Sequence, residues 1–159
     1  MTDSLLDLRP VSPADRDFLL QLYASTREQE LSQVAWPADF KAAFLEQQFD
    51  AQDRHYRENY PGATLDVVVV DGVAAGRFLV ARWPQEIRVM DIAFLPEFRG
   101  RGLGTRLLRA LFAEADASRR EVSIHVERLN PALELYRRLG FELREDKGVY
   151  LMLARPPAS

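Results

Sequence analysis

The spacing of apolar residues changes several times along the chain, and each change marks an element. Leu5 to Pro10 reads as a first short strand. Ser12-Pro13-Ala14-Asp15 opens a helix, with Ser as N-cap, Pro at the first helical position and Asp as the third residue. Phe18, Leu19, Leu22 and Tyr23 give that helix an apolar face, and the segment beyond Thr26, REQELSQVAW, is amphipathic and less decided. Pro37 and Asp39 suit a second helix start, continued by Phe40, Phe44, Leu45 and Phe49. Gln47 to Asn59 extends it until Tyr60-Pro61-Gly62 stops it.

The period then becomes that of strands. Leu65 to Val70 is a β-branched run, Asp71-Gly72 is a two-residue hairpin signal, and Val73 to Trp83 returns with Gly76 suited to a bulge. Pro84-Gln85 turns the chain into Glu86 to Leu95, of which Val89 to Leu95 reads as a largely buried strand. Pro96 ends it, because proline has no N–H to give a ladder. Leu103, Leu107, Leu108, Leu111 and Ala115 recur at helical spacing. Glu121 to Val126 alternates, with Val122, Ile124 and Val126 on one side and Ser123 and His125 on the other. Asn130-Pro131 opens a short helix through Leu133, Leu135, Tyr136 and Leu139, which Gly140 ends. Phe141 to Arg144 and Val149 to Leu153 form a final hairpin through Asp146-Lys147-Gly148, and the tail, 155–159, is expected to fray.

The chemistry concentrates where a strand becomes a helix, at Arg99-Gly100-Arg101-Gly102-Leu103-Gly104. Glycine permits positive φ and close approach of a ligand to the backbone. The first N–H groups of a helix have no partner inside it and carry partial positive charge. Strand, glycine loop and helix together are a cradle for phosphate, with Arg99, Arg101 and Arg106 adding charge. The loop has no Lys for a Walker A motif, and neither Gly100 nor Gly102 begins a G-x-G-x-x-G dinucleotide fingerprint. What stands is R-x-x-G-x-G, Arg99 to Gly104. The alternative is a glycine-rich turn that binds nothing.

Composition narrows the rest. A chain of 159 residues suits one domain, 1–159, with a sizeable core. A net charge of −3 argues against general nucleic-acid binding. With no cysteine there is no disulfide, thiolate nucleophile or cysteine metal site, and with two histidines, His55 and His125, no metal is expected. No apolar run spans a bilayer, and MTDSLLDLRP lacks a basic signal region, so a cytoplasmic location is expected.

The loop R-x-x-G-x-G, placed after IAFLP and before an amphipathic helix, resembles the acyl-CoA loop of the GCN5-related N-acetyltransferases (GNAT), [QR]-x-x-G-x-[GA]. A second stretch, Asn130 to Phe141, is similar to the family's N-x-x-A-x-x-L-Y-x-x-x-G-F, except that Asn130 lies six rather than seven residues before Tyr136. Asn130 either reaches the CoA from a shifted turn or only caps the helix. The resemblance covers nearly the whole chain. It implies an α/β (α+β) fold with a mixed, mostly antiparallel sheet of about seven strands flanked by about four helices.

The resemblance also implies an enzyme of the EC 2.3.1 class, moving an acetyl group from acetyl-CoA directly to a primary amine of a small molecule or a protein. Backbone groups of Ile92, Ala93 and Phe94 would pair with pantetheine and polarise the thioester. Arg99, Gly100, Arg101, Gly102, Leu103, Gly104 and Thr105 would hold the pyrophosphate through loop N–H groups. Tyr136 would protonate the leaving thiolate; its alternative is a core tyrosine beside Phe141. Asp91 and His125 are candidate bases, each with a structural alternative, since Val89 occupies a position where relatives carry a Glu. A water relay, or capture of an amine already neutral, is the remaining route. Glu28, Glu30, Trp36 and the segment between them are candidates for acceptor contact, the alternative being a solvated helix face with one apolar anchor, and Glu28, Glu30 and Asp91 suit a cationic amine. The chain would act as a monomer or homodimer. Competing readings are a transferase for a bulkier acyl-CoA and a non-catalytic acyl-CoA-binding module.

Overall fold

The computed structural model describes residues 4–158. Its elements are β1 (Leu6–Pro10), α1 (Arg16–Ser32), α2 (Ala38–Asn59), β2 (Thr64–Val70), β3 (Val73–Arg82), β4 (Glu86–Phe94), α3 (Leu103–Ala117), β5 (Glu121–Glu127), α4 (Leu133–Arg138), β6 (Glu142–Asp146) and β7 (Tyr150–Arg155). The strands neighbour one another in the order β1-β2-β3-β4-β5-β7-β6. β4 and β5 run parallel, whereas β1–β2, β5–β7 and β6–β7 are antiparallel. The expected order of elements is therefore the observed one. Two compact units share the chain: residues up to Phe78 with Ile92–Arg101, and Leu79–Asp91 with Gly102 onward.

In the first unit, β1 pairs with β2 from Leu6↔Val70 to Pro10↔Asp66. The Asp71-Gly72 turn has positive φ at both residues, 50° and 81°, as a tight hairpin with right-handed strand twist requires. Ser12 begins a 3-10 turn, Pro13–Asp15, ahead of α1. Asp15 reaches back to accept from the Ser12 N–H at 2.8 Å and takes a two-pronged bond from Arg9, at 2.8 and 2.9 Å. α1 runs on to Ser32, past the undecided stretch after Thr26. Leu19, Tyr23 and Phe49 pack a small core between α1 and α2, with Tyr23 and Phe49 edge to face at 5.9 Å. Gly76 answers a close approach of β4. A Cβ there would stand 2.2 Å from the Ala93 carbonyl oxygen and 2.9 Å from the Phe94 ring.

In the second unit, α3 lays Leu103, Leu107, Leu108, Leu111, Phe112 and Ala115 inward. Val122, Ile124, Val126, Leu151 and Leu153 are buried on the strands. α4 begins at Leu133, later than Asn130-Pro131 suggested, because Asn130 and Pro131 are spent on the turn before it. It ends as expected. Gly140 has φ 101°, its N–H donates to Arg137 O, and Phe141 N–H donates to Tyr136 O, the paired bonds of a Schellman cap. The tail corrects the expectation of fraying. Arg155 ends β7 and makes a two-pronged bond to Asp116, whose Oδ1 also accepts from the Ala158 N–H at 2.9 Å. Residue 159 lies outside the described residues.

Candidate functional site

The glycine loop turns as its composition demands. Gly100 and Gly102 have φ of 72° and 75°, and a Cβ on either would meet nothing within 4 Å. The need for glycine at both is conformational, since left-handed backbone disfavours other residues. Gly102 is the N-cap of α3, and its carbonyl accepts from Arg106 N–H at 3.1 Å, the first bond of the helix. The N–H groups of Leu103, Gly104 and Thr105 precede that bond and have no carbonyl one turn back. The arginine side chains are less available than their charge suggests. Arg101 donates to Ser4 Oγ at 3.2 Å and lies 5.3 Å over the Phe98 ring. Arg99 donates through Nε to Phe94 O at 2.9 Å and through Nη2 to Ser25 Oγ at 3.2 Å.

The parallel ladder between β4 and β5 runs, among the described residues of the second unit, from Glu86↔Glu121 to Val89↔Ile124. Both strands continue past it: β4 through Met90 and Asp91, β5 to Glu127. On its other edge β5 stays paired with β7, His125 to Met152 and Val126 to Leu151. Parted parallel strands leave backbone donors and acceptors that an extended amide chain can take up. Ile92, Ala93 and Phe94, in the first unit, are the last residues of β4 and are part-exposed rather than buried as their apolar character suggested.

Tyr136 is 7% exposed and stacks edge to face with Phe141 at 5.8 Å, so it is a core tyrosine in its packing. Burial pushes its phenol above the ordinary value, and the charge of Asp91 pushes it further in the same direction. Such a phenol keeps its proton at neutral pH and can donate it. Asp91 is thus near enough for its charge to act on the Tyr136 phenol.

The structure does not bring His125 to them. In the ladder Val89 pairs with Ile124 and Ile87 with Val122, all buried on one face of the sheet. Strand alternation puts Asp91 on that face and His125 on the opposite one. On the opposite face Arg88 Nε donates to Ser123 Oγ at 3.1 Å, Arg88 Nη2 pairs with Glu86 at 2.8 Å, and the Ser123 hydroxyl donates to Glu86. His125 meets Lys147, whose Nζ is 3.3 Å from Nε2. Burial first, then the positive charges of Arg88 and Lys147, hold the imidazole below its ordinary pKa.

Asn130 lies in the turn before α4, whose N-cap is Ala132, and its Oδ1 accepts from Ala132 N–H at 2.8 Å. In the first unit, Trp36 packs edge to face with Phe40 at 4.9 Å and Phe44 at 5.3 Å, with Trp36 and Phe40 both exposed. Glu30 pairs with Arg27 at 3.5 Å on the surface of α1. Among the described residues no three His, Asp or Glu side chains cluster to hold a metal ion, and no helix is long and apolar enough to cross a membrane.

The family model "Acetyltransferase (GNAT) family" matches residues 24–141. The chain belongs to that family. Streptothricin acetyltransferase of Streptomyces lavendulae is 34% identical over 99 residues, which cover 58% of this GNAT chain and 51% of that protein. The match thus spans about half the length of that relative. Among solved structures, PaiA N-acetyltransferase from Thermoplasma acidophilum in complex with coenzyme A aligns at TM-score 0.72 and 13% identity, covering 96% of this chain and 99% of that one. An acetyltransferase from Thermus thermophilus aligns at 0.70 and 24%, covering 95% and 96%. A GNAT acetyltransferase from Elizabethkingia anophelis with acetyl-CoA bound aligns at 0.61 and 14%, covering 95% and 97%. At these identities the likeness is one of fold.

The partners of Arg99 are not legible in the sequence. Ser25 lies 74 positions away and carries no local signal. Lys147 reads in the sequence only as a turn residue, whereas its Nζ meets His125.

Proposed function

We propose that this GNAT protein transfers an acetyl group from acetyl-CoA to a primary amine, in one direct step. The observation that carries the reading is the parallel ladder that stops at Val89↔Ile124 while both strands continue. A chain of amides such as pantetheine is the natural guest of such an edge.

The acceptor must be neutral to attack, and an alkyl ammonium has a reference pKa near ~10.4. Asp91 takes its proton, directly or through a water. The amine nitrogen then bonds to the thioester carbon, and backbone N–H of the Ile92–Phe94 segment steadies the oxygen as it becomes negative. As the C–S bond breaks, Tyr136 gives its proton to the thiolate; the nitrogen, which still carries one proton more than the amide, loses it to restore the phenol, and the proton held by Asp91 passes to solvent. The backbone N–H groups that follow Arg99, from Gly100 to Thr105, hold the pyrophosphate at the start of α3. Asn130 serves the turn before α4. His125 is left out of the transfer because of the sheet face it occupies. Glu28, Glu30 and Trp36 fit a cationic acceptor. We take both compact units as one acetyltransferase domain, because the family match runs across both. A cytoplasmic location accords with an acetyl-CoA donor.

The test is calorimetric titration with acetyl-CoA, with ATP and NAD as controls, followed by thiol release over an amine panel that includes streptothricin. Selective binding and amine-dependent release are expected. Binding without release across the panel would favour a non-catalytic acyl-CoA module; binding only of a longer acyl-CoA would move the donor class.

A further inference from the structure

We infer that Arg99 is a positioning residue, which holds the end of β4 in register for transfer rather than neutralising a phosphate. This rests on the acetyl-transfer reading and deepens it. Ile92, Ala93 and Phe94 must aim their backbone groups at a thioester, and such groups act well only when held to a fraction of an ångström. The end of a strand has few neighbours to hold it. Here two devices do so, both within the first unit.

On one side the strand is gripped by β3. Leu95 N–H donates to Ala75 O at 2.9 Å, and the missing side chain of Gly76 lets the Ala93 carbonyl sit where a Cβ would stand 2.2 Å away. At its end the strand is held by Arg99. Nε donates to the Phe94 carbonyl at 2.9 Å, and Nη2 donates to Ser25 Oγ on α1 at 3.2 Å. The peptide between Phe94 and Leu95 is therefore fixed at both its groups, the C=O by Arg99 and the N–H by Ala75. Arg99 also spends its own main-chain N–H, on Pro96 O at 3.2 Å, in the 3-10 turn Pro96–Phe98. The residue is exposed, so its charge adds little to stability, but its direction is set by two bonds made by two different nitrogens.

The chemistry of the side chain supplies the test. Glutamine carries an N–H₂ the same number of bonds from Cα as arginine Nε, without charge. Lysine carries charge, with carbon where Nε would be. If Arg99 positions the strand, Arg99→Gln, which keeps a donor for the Phe94 carbonyl but loses the bond to Ser25, lowers kcat only as far as Ser25→Ala does, whereas Arg99→Lys lowers kcat roughly tenfold or more and leaves the calorimetric Kd for CoA within about twofold. If Arg99 instead meets phosphate, the pattern inverts. Arg99→Gln then weakens CoA binding and its salt dependence while kcat stands, and Arg99→Lys retains affinity. That inverted pattern overturns the inference, as does equal kcat in all three proteins. Ser25→Ala, which removes only the second anchor, is expected to lower kcat less than Arg99→Lys without changing Kd. Thermal unfolding confirms that each variant is folded. A parent protein that binds acetyl-CoA but transfers to no amine removes the transfer reading and this role together; a parent that transfers no faster than Arg99→Lys removes this role alone.

Discussion

Lys147 Nζ lies 3.3 Å from His125 Nε2. An ammonium can only donate, so the imidazole accepts through Nε2, and its lowered pKa keeps it neutral to do so. The lone pair that a base would need is thereby occupied, on the sheet face away from Tyr136. His125→Gln is accordingly expected to leave kcat within about threefold of the parent, against the roughly 10²-fold or larger loss that removal of a general base produces. Steady-state thiol release with a saturating amine measures this, and a loss of the larger size would return His125 to the reaction.

Tyr136→Phe is expected to lower kcat by roughly 10²-fold while leaving CoA affinity unchanged, the signature of a lost proton donor. Unchanged turnover would leave Tyr136 as a core residue only.

Because burial and then the charge of Asp91 raise the Tyr136 phenol, its ionisation should appear above the ordinary value near ~10. Ultraviolet titration, with Tyr136→Phe subtracted to isolate this ring, reads it directly. Asp91→Asn should move the transition back downward without abolishing the shift, since burial is the larger cause. An unmoved transition in that variant would separate the two residues.

Gly102 has φ 75° with open space beside it, so Gly102→Ala should cost about 1–2 kcal/mol through backbone strain. Gly102→Glu should suffer the same strain and also lose acetyl-CoA binding, by placing a carboxylate where the loop would cradle phosphate. Denaturant unfolding and calorimetry read the two effects separately. A folded Gly102→Glu protein that still binds tightly would remove the loop from the CoA site.

Acid should destabilise the protein, with Asp15 prominent. Its bonds from Arg9, then from the Ser12 N–H, hold its carboxyl well below the usual range. A carboxylate depressed in the folded state binds fewer protons there than in the unfolded chain. Its stabilisation is complete above the unfolded value near ~3.9 and fades as pH falls through the folded one. Asp15→Asn should cost on the order of 1 kcal/mol near neutral pH through loss of the cap. The gap from the parent should narrow from about pH 4 down to about pH 3 in urea titrations. A gap independent of pH would show that the charge of Asp15 is not what matters.

Features set by near neighbours in the chain are legible in the amino-acid sequence itself. The Asp71-Gly72 hairpin, the apolar face of α3 from Leu103 to Ala115 and the Gly140 cap all depend on residues within a turn or two of each other. The same holds for the R-x-x-G-x-G loop, where glycine is needed for local φ at Gly100 and Gly102. The expectation of the GNAT family and its fold came from the resemblance of that loop and of Asn130–Phe141 to the family's motifs, together with the order of elements.

Tertiary structure decided what depends on register and on distant partners. Asp91 and His125 are both plausible bases in sequence, but the pairing of Val89 with Ile124 sets their parity and sends them to opposite faces. The tail reads as free because nothing near it in sequence binds it; Asp116, 39 positions from Arg155, holds it. Arg99 reads as a phosphate cation because its charge is visible in the sequence, whereas the Phe94 carbonyl and Ser25 hydroxyl that direct it become its neighbours only when β4 and α1 are in place. Periodicity is a local property and survives in the sequence; which side chain meets which is a property of the folded chain.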